Sequence, residues 1–199
     1  MIAKRLFDLL FSLMGMVFLF PLFVIIAVVV KLDTPGPVFF RQERVGKSGK
    51  IFRIHKFRTM GVDAEVKGLQ LTVSNDVRIT RSGKFLRKYK LDELAQLIDV
   101  VKGDMSLVGP RPEVPRYVEE YPEDAKKIIF SVPPGITDFA SIEFKDENMI
   151  LAGSRDSQQD YINKILPVKI TYYLKYVAER SLWLDFKLII KTIWSIRTG

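Results

Sequence analysis

The chain contains no cysteine and only one histidine, His55, in 199 residues. Without thiols there is no disulfide framework, zinc knuckle, iron–sulfur site or cysteine nucleophile. A single histidine argues against a Ser-His-Asp triad and against a histidine-rich metal site. No internal repeat or low-complexity tract is present. Composition excludes disorder, because 48% of the residues are hydrophobic. Acidic residues are in the minority, 23 against 31 lysines and arginines, for a net charge of +8. That surplus points to an anionic partner: phospholipid, nucleotide or nucleic acid. The length fits one domain, or one domain with a small appendage.

Charge is nearly absent from one long stretch. From Leu6 to Val30 the only ionisable side chain is Asp8. Crossing a hydrocarbon core takes about 20 residues, so the run is long enough. A signal peptide would have an apolar region of about 7–15 residues, followed by small residues at a cleavage site. Here Lys31-Leu32-Asp33-Thr34-Pro35 follows instead. Residues 1–34 therefore read as a retained membrane anchor. Lys4 and Arg5 precede the run, and Lys31, Arg41 and Arg44 follow it. Positive residues favour the cytoplasmic side, and both flanks carry them. Pro21, near the middle, removes a backbone donor and can bend the helix. A helical hairpin that enters and leaves on one face fits both facts. A tilted span that tolerates one proline stays open.

Residues 35–199 read as a separate domain at the membrane face. Pro35-Gly36-Pro37 is a stiff connector. Val38 to Val45 and Ile51 to Met60 read as two strands around the short loop Gly46–Gly49. Arg41, Arg44, Lys47, Lys50, Arg53, Lys56 and Arg58 meet only Glu43 as an opposing charge there. His55 falls in the second strand, where a lone histidine is usually packed or hydrogen-bonded, so no chemistry is assigned to it. Gly61 to Ser74 reads as a loop. Arg78, Arg81, Lys84, Arg87, Lys88 and Lys90 follow, interleaved with Phe85, Leu86 and Tyr89. That pattern suits an amphipathic helix at lipid headgroups, and a solvated charged face fits it equally.

A helix is predicted from Leu91, with Leu94, Leu97, Ile98 and Val101 at helical spacing and Gly103 at its end. Asp92 and Glu93 then lie in its first turn, where the helix dipole and the upstream basic residues favour ionised carboxylates. In Gly109-Pro110-Arg111-Pro112, two prolines and a glycine fix the backbone around one arginine. A guanidinium held in that way suits a bidentate phosphate contact. Pro133-Pro134-Gly135 is a second rigid turn, and Ser154 to Asp160 reads as a loop. Ile165 to Tyr176 and Ser181 to Ile196 read as helices. The second carries Trp183, Trp194, Lys187 and Lys191, which fits either an interfacial helix or core packing.

Taken in order, several of these segments resemble the monotopic phosphoglycosyl transferases among the bacterial sugar transferases. They are Lys4-Arg5 with Asp8, then Gly36-Pro37-Val38-Phe39-Phe40-Arg41-Gln42-Glu43-Arg44-Val45-Gly46, then Lys56-Phe57-Arg58-Thr59-Met60. Next come Arg78 to Arg87, Leu91-Asp92-Glu93-Leu94, and Lys102 to Pro112. Pro134-Gly135-Ile136-Thr137, Ser181 and Asp185 complete the set. Where this family usually has proline after the Asp-Glu-Leu, Ala95 stands here, and Lys90 replaces the usual serine or threonine. Pro133 and Asp138 stand where arginine and glycine are usual, in a segment expected to face the donor.

The resemblance implies an α+β, mostly helical fold. It comprises a re-entrant N-terminal membrane helix hairpin, a short β-hairpin, and amphipathic interfacial helices around a small cytoplasmic catalytic domain. It implies transfer of a sugar-1-phosphate from a UDP-sugar, of N-acetylated hexose type, to polyprenyl (undecaprenyl) phosphate with release of UMP. Asp92 would be the nucleophile and Glu93 its partner, both near Mg2+, with Asp185 a further candidate ligand. Arg111, Arg87, Arg78, Arg58 and Thr137 would bind phosphate or substrate. Expected partners also include membrane phospholipid at the cytoplasmic face of the bacterial inner membrane, with self-association left open. Two other classes compete: an inactive scaffold of a glycan assembly complex, and a membrane-tethered nucleic-acid binder. The intact Asp92-Glu93 pair argues against the first. The second finds no recognisable stacking module, so no nucleic acid is expected.

Overall fold

The computed structural model describes residues 2–62, 76–143, 151, 154 and 156–198, with side chains to 195. It is mostly helical, with two small two-stranded sheets. Helix α1 (Ile2–Asp33) is the long apolar segment, with a mean hydropathy of 3.0. It remains helical through Pro21. Leu10, Phe11, Val17, Phe18, Phe20, Val24 and Ile25 are exposed along it, a pattern that fits membrane association. A helix of this length extends about 48 Å if straight, yet α1 meets the rest of the chain at both ends.

Near its start, Arg5 donates to the carbonyls of Val100 (2.6 Å) and Val101 (2.8 Å). Asp8 is buried and accepts from Ser106 Oγ at 2.9 Å and the Leu107 amide at 3.2 Å. At its end, Ile26 and Val30 join a core cluster with Phe57, Leu86 and Ala95. Asp33 accepts from the amide and hydroxyl of Ser82 at 2.9 and 2.6 Å.

Strands β1 (Phe39–Val45) and β2 (Ile51–Phe57) form the expected antiparallel hairpin, with Arg41 opposite His55. The loop closes with Ser48 and Gly49 at positive φ. Phe52 and Ile54 pack on Val100 and Met105. His55 donates its backbone N–H to Asp99 at 2.8 Å and its Nδ1 lies 2.5 Å from the same carboxylate, the structural role expected of it.

Helix α2 (Arg81–Lys88) is N-capped by Thr80, whose hydroxyl accepts from the Gly83 amide. A 3-10 turn (Leu91–Gln96) leads into α3 (Leu97–Lys102), which Gly103 ends at positive φ. The single α-helix predicted from Leu91 is thus two segments. Lys90 offers no oxygen cap and sits in the left-handed region at φ 55°, so the first turn tightens to 3-10.

Strands β3 (Ser106–Val108) and β4 (Gly135–Thr137) pair in parallel. Around them lie α4 (Pro115–Glu119), α5 (Glu123–Ile129) and α6 (Phe139–Glu143). The chain goes on through α7 (Ser157–Asp160), α8 (Leu166–Glu179) and α9 (Leu182–Thr198). The expected loop over Ser154 to Asp160 therefore contains a helical turn, N-capped by Asp156. The loop expected over Gly61 to Ser74 lies outside the described residues from 63 on. A core of Tyr117, Tyr121, Ile129, Tyr161, Ile165 and Tyr173 joins α4, α5 and α8. On α9, Trp183 and Trp194 are 64% and 69% exposed, which removes the core-packing alternative.

Candidate active site

Asp92 and Glu93 sit side by side on the 3-10 turn, yet their surroundings differ. Glu93 is gripped from two sides. Lys56 Nζ lies 2.9 Å from its Oε1, and the Arg111 fork takes both oxygens, Nη1 to Oε2 at 3.2 Å and Nη2 to Oε1. Burial alone would raise the Glu93 pKa, but the Arg111 and Lys56 charges and the Arg111 hydrogen bond hold it well below the usual range. Asp92 is only 8% exposed. Among the described residues, no hydrogen bond or ion pair engages its carboxylate. Burial and the neighbouring Glu93 charge push its pKa up, while Lys56, Arg87 and Lys90 pull it back. The expectation that the helix dipole and upstream basic residues favour both carboxylates as anions holds for Glu93, whereas at Asp92 burial and the Glu93 charge outweigh the basic residues.

Tertiary contacts bring these groups together. Lys56 stands two residues beyond Ile54 on β2, on the same strand face, and reaches the turn through β2 packing. Arg111 is set by the close approach of two loops. A Cβ on Gly135 would fall 2.0 Å from the Gly109 amide nitrogen, so only glycine fits there. Gly135 N donates to Pro110 O at 3.0 Å and Gly109 N to Thr137 O at 3.1 Å, which fixes the backbone around Arg111. Behind it, Arg44 pairs with Glu113 at 3.3 Å, and Tyr161 donates to Glu113 at 2.5 Å. Arg87 comes from the end of α2, and its pKa is lowered by burial against the pull of Asp92, Asp76 and Glu93.

The expected phosphate-binding residues divide. Arg111 and Arg87 lie with the pair. Arg78 sits at the margin, in a fork on Asp76. Arg58 lies elsewhere: its guanidinium donates to the carbonyls of Val30, Thr34 and Pro35, at the end of α1. Those three acceptors engage the terminal nitrogens, so the structure does not bring Arg58 to the Asp92–Glu93 pair. Thr137 shares a 2.5 Å hydroxyl contact with Thr192 of α9. Asp185, expected as a further metal ligand, is 1% exposed and bound to Lys4 at 2.8 Å and Tyr176 at 2.9 Å. It belongs to a buried cluster with Asp8, where a cation and a hydroxyl hold both its oxygens, and the structure does not bring it to the Asp92–Glu93 pair.

Asp92 and Glu93 offer hard oxygen donors suited to Mg2+. Among the described residues, no group of three or more His, Asp or Glu gathers around a metal position. The pair suits an ion that takes its remaining ligands from substrate phosphates and water, which is common for magnesium. Lys56, Arg44 and Glu113 join the site beyond the residues the sequence points to. For Lys56 a signal existed, because a charge on a core-facing strand position is informative. The others depend on contacts distant in sequence.

The sequence profile of the family described as bacterial sugar transferase matches residues 1–199. An Aeromonas hydrophila protein named UDP-N-acetylgalactosamine-undecaprenyl-phosphate N-acetylgalactosaminephosphotransferase is 38% identical over 198 residues, covering 98% of this chain and 44% of that protein. The Escherichia coli (strain K12) UDP-glucose:undecaprenyl-phosphate glucose-1-phosphate transferase is 36% identical over 97% of this chain and 40% of its own length. The Rhizobium leguminosarum bv. phaseoli exopolysaccharide production protein PSS is 36% identical over 98% of this chain and 95% of its own. The chain thus spans less than half of the first two relatives.

Proposed function

Because the chain belongs to the bacterial sugar transferase family, we propose that it transfers a sugar-1-phosphate from a UDP-sugar to polyprenyl phosphate and releases UMP. The carrying observation is the asymmetry of the pair: Asp92 without a partner among the described residues, Glu93 fixed as an anion, and Lys56, Arg87 and Arg111 acting on the pair. An Asp92 Oδ attacks the sugar-bearing phosphorus of the donor. The bond from that phosphorus to the bridging oxygen breaks, and UMP leaves with the electron pair. The resulting acyl phosphate is attacked at phosphorus by an oxygen of the lipid phosphate, which forms the lipid diphosphate sugar and returns Asp92 as a carboxylate. Two displacements at one nucleophile imply ping-pong kinetics.

Each cation has a part. A negatively charged phosphoryl centre resists an anionic nucleophile, so Lys56, Arg87 and Arg111 offset the charge that gathers there. Glu93 keeps Lys56 and Arg111 beside Asp92 until the donor arrives. A bound magnesium ion would neutralise the diphosphate further. The donor is taken to carry an N-acetylated hexose, in line with the name of the Aeromonas relative, although other relatives are named for glucose.

The contacts of α1 support a re-entrant seat. Arg5, Asp8 and Asp33 all bond to the same folded body, which supports a seat with both ends of the helix on one side of the bilayer. UDP-sugars are cytoplasmic, which supports a seat at the inner face of the inner membrane. The deciding experiment holds the protein in nanodiscs with radiolabelled polyprenyl phosphate and a panel of UDP-sugars. Labelled lipid diphosphate sugar is expected from an N-acetylhexosamine donor. Product only from UDP-glucose would correct the donor, and no product from any donor would overturn the reading.

A further inference from the structure

The end of the anchor, the exit of β2 and the start of α2 meet in one tight joint. Arg58 donates to the carbonyls just beyond α1, at 2.7 Å for Pro35 and 2.8 Å for Thr34. Asp33 binds Ser82 in the first turn of α2. A Cβ on Gly83 would fall 2.1 Å from Thr59 O, so α2 lies directly on the backbone of Thr59. Thr80 N also donates to Thr59 O at 3.0 Å. Thr59 itself is 6% exposed, and its hydroxyl accepts from Arg87 Nε at 2.8 Å.

That last contact has a directional consequence. A guanidinium presents two edges for bidentate contact, one through Nε and one through the two Nη groups. Thr59 holds the Nε edge. Among the described residues, the Nη groups of Arg87 have no hydrogen-bond partner, and the charges acting on it are Asp92, Asp76 and Glu93. A planar fork fixed at one edge keeps fewer rotamers to lose when the other edge meets an oxyanion.

We propose that Thr59 is a positioning residue for phosphoryl transfer: its hydroxyl holds the Nε edge of Arg87 and leaves the Nη edge open to a phosphoryl oxyanion beside Asp92, and the joint at the end of α1 holds it there. The inference rests on the phosphotransfer reading above. Thr59→Val keeps the shape and removes the acceptor; Thr59→Ser keeps the acceptor.

The test compares wild type and both variants as full chains in nanodiscs. It records kcat and KM for sugar-phosphate transfer, the melting temperature, and the arginine Nε–H resonances by NMR, with that of Arg87 assigned by its loss in Arg87→Lys. In Thr59→Val, kcat should fall by roughly ten- to a hundredfold, the scale of a misplaced catalytic contact. KM should stay within about threefold, and the Arg87 Nε–H signal should move to the position of an exposed arginine. Thr59→Ser should recover most of kcat and the signal. An unchanged kcat in Thr59→Val, or a loss that Thr59→Ser does not repair, would overturn the proposal. If wild type transfers nothing, the phosphotransfer reading fails, and the proposal for Thr59 fails with it. The Nε–H signal then still reports whether Thr59 sets the arginine.

Discussion

Two adjacent carboxylates of similar intrinsic acidity are driven apart by what surrounds them. Asp92→Asn should abolish transfer while leaving the melting curve unchanged, because the amide matches the shape but is a poor nucleophile. Near-wild-type turnover would mean that the nucleophile lies elsewhere. As the proposed nucleophile, Asp92 must be ionised to attack, and its pKa is raised by burial and by Glu93. The acid limb of kcat/KM should therefore lie at higher pH than an ordinary aspartate would give, a shift read directly from a pH–rate profile. Glu93 behaves oppositely. Its folded pKa is depressed below 4.5, so its contribution to stability is fully present above that pH and is lost as pH falls through the folded value. Melting temperatures measured on acidification should fall more steeply for wild type than for Glu93→Gln. Arg111→Lys keeps the charge but loses the fork on Glu93. A rate loss of about tenfold or more is expected, equivalent to ~1.4 kcal/mol. An unchanged rate would leave Arg111 a structural role only.

At the scale of elements, the site is assembled by short segments held at unusually close range. The β3–β4 pair is only three residues long on each side, and its contact depends on Gly109 and Gly135. Gly135→Ala should destabilise the fold by about 3 kcal/mol or more, since the added carbon meets backbone that cannot rotate away. Urea denaturation would measure it; a loss below about 1 kcal/mol would show that the two loops can separate without cost. The sequence marked both loops as rigid from their prolines and glycines. It could not show that they touch, because 109 and 135 are joined only by folding. The same holds for Lys56 and Glu93, whose contact needs β2 to dock on the 3-10 turn. The turn itself departs from the predicted α-helix because Lys90 takes a left-handed conformation just before it.

At the scale of the whole molecule, α1 sets how the chain meets a membrane. Its apolar face is exposed, while polar residues at both ends are bound to the rest of the folded chain. Lys4 bridges Asp8 and Asp185 at 3.0 and 2.8 Å, so the start of α1 is tied to α9 as well. A spanning helix would have to break these bonds to place its first turn across the bilayer. The native chain has no cysteine, so Ala3→Cys can be labelled cleanly. Only reagents that reach the cytoplasm should modify it in intact cells. Modification by a membrane-impermeant reagent from outside would refute the re-entrant seat. Pro21→Leu then asks whether the proline matters: with the contacts at both ends intact, the labelling pattern should change little.

The sequence by itself determined the apolar anchor, the β-hairpin, the basic surface and the order of motifs that places the chain in its family. Those features rest on local composition and on spacing along the chain, which a linear reading captures. Tertiary structure decided the rest. It sent Arg58 to the end of α1 and Asp185 to a buried cluster, although both carry the charges a phosphate or metal site would need. It gave Glu93 to Arg111 and Lys56 and left Asp92 free, a distinction invisible in two adjacent letters. The physical reason is that a charged side chain takes its role from burial and from partners within hydrogen-bond reach. Here those partners lie 18 and 37 residues from Glu93 in sequence.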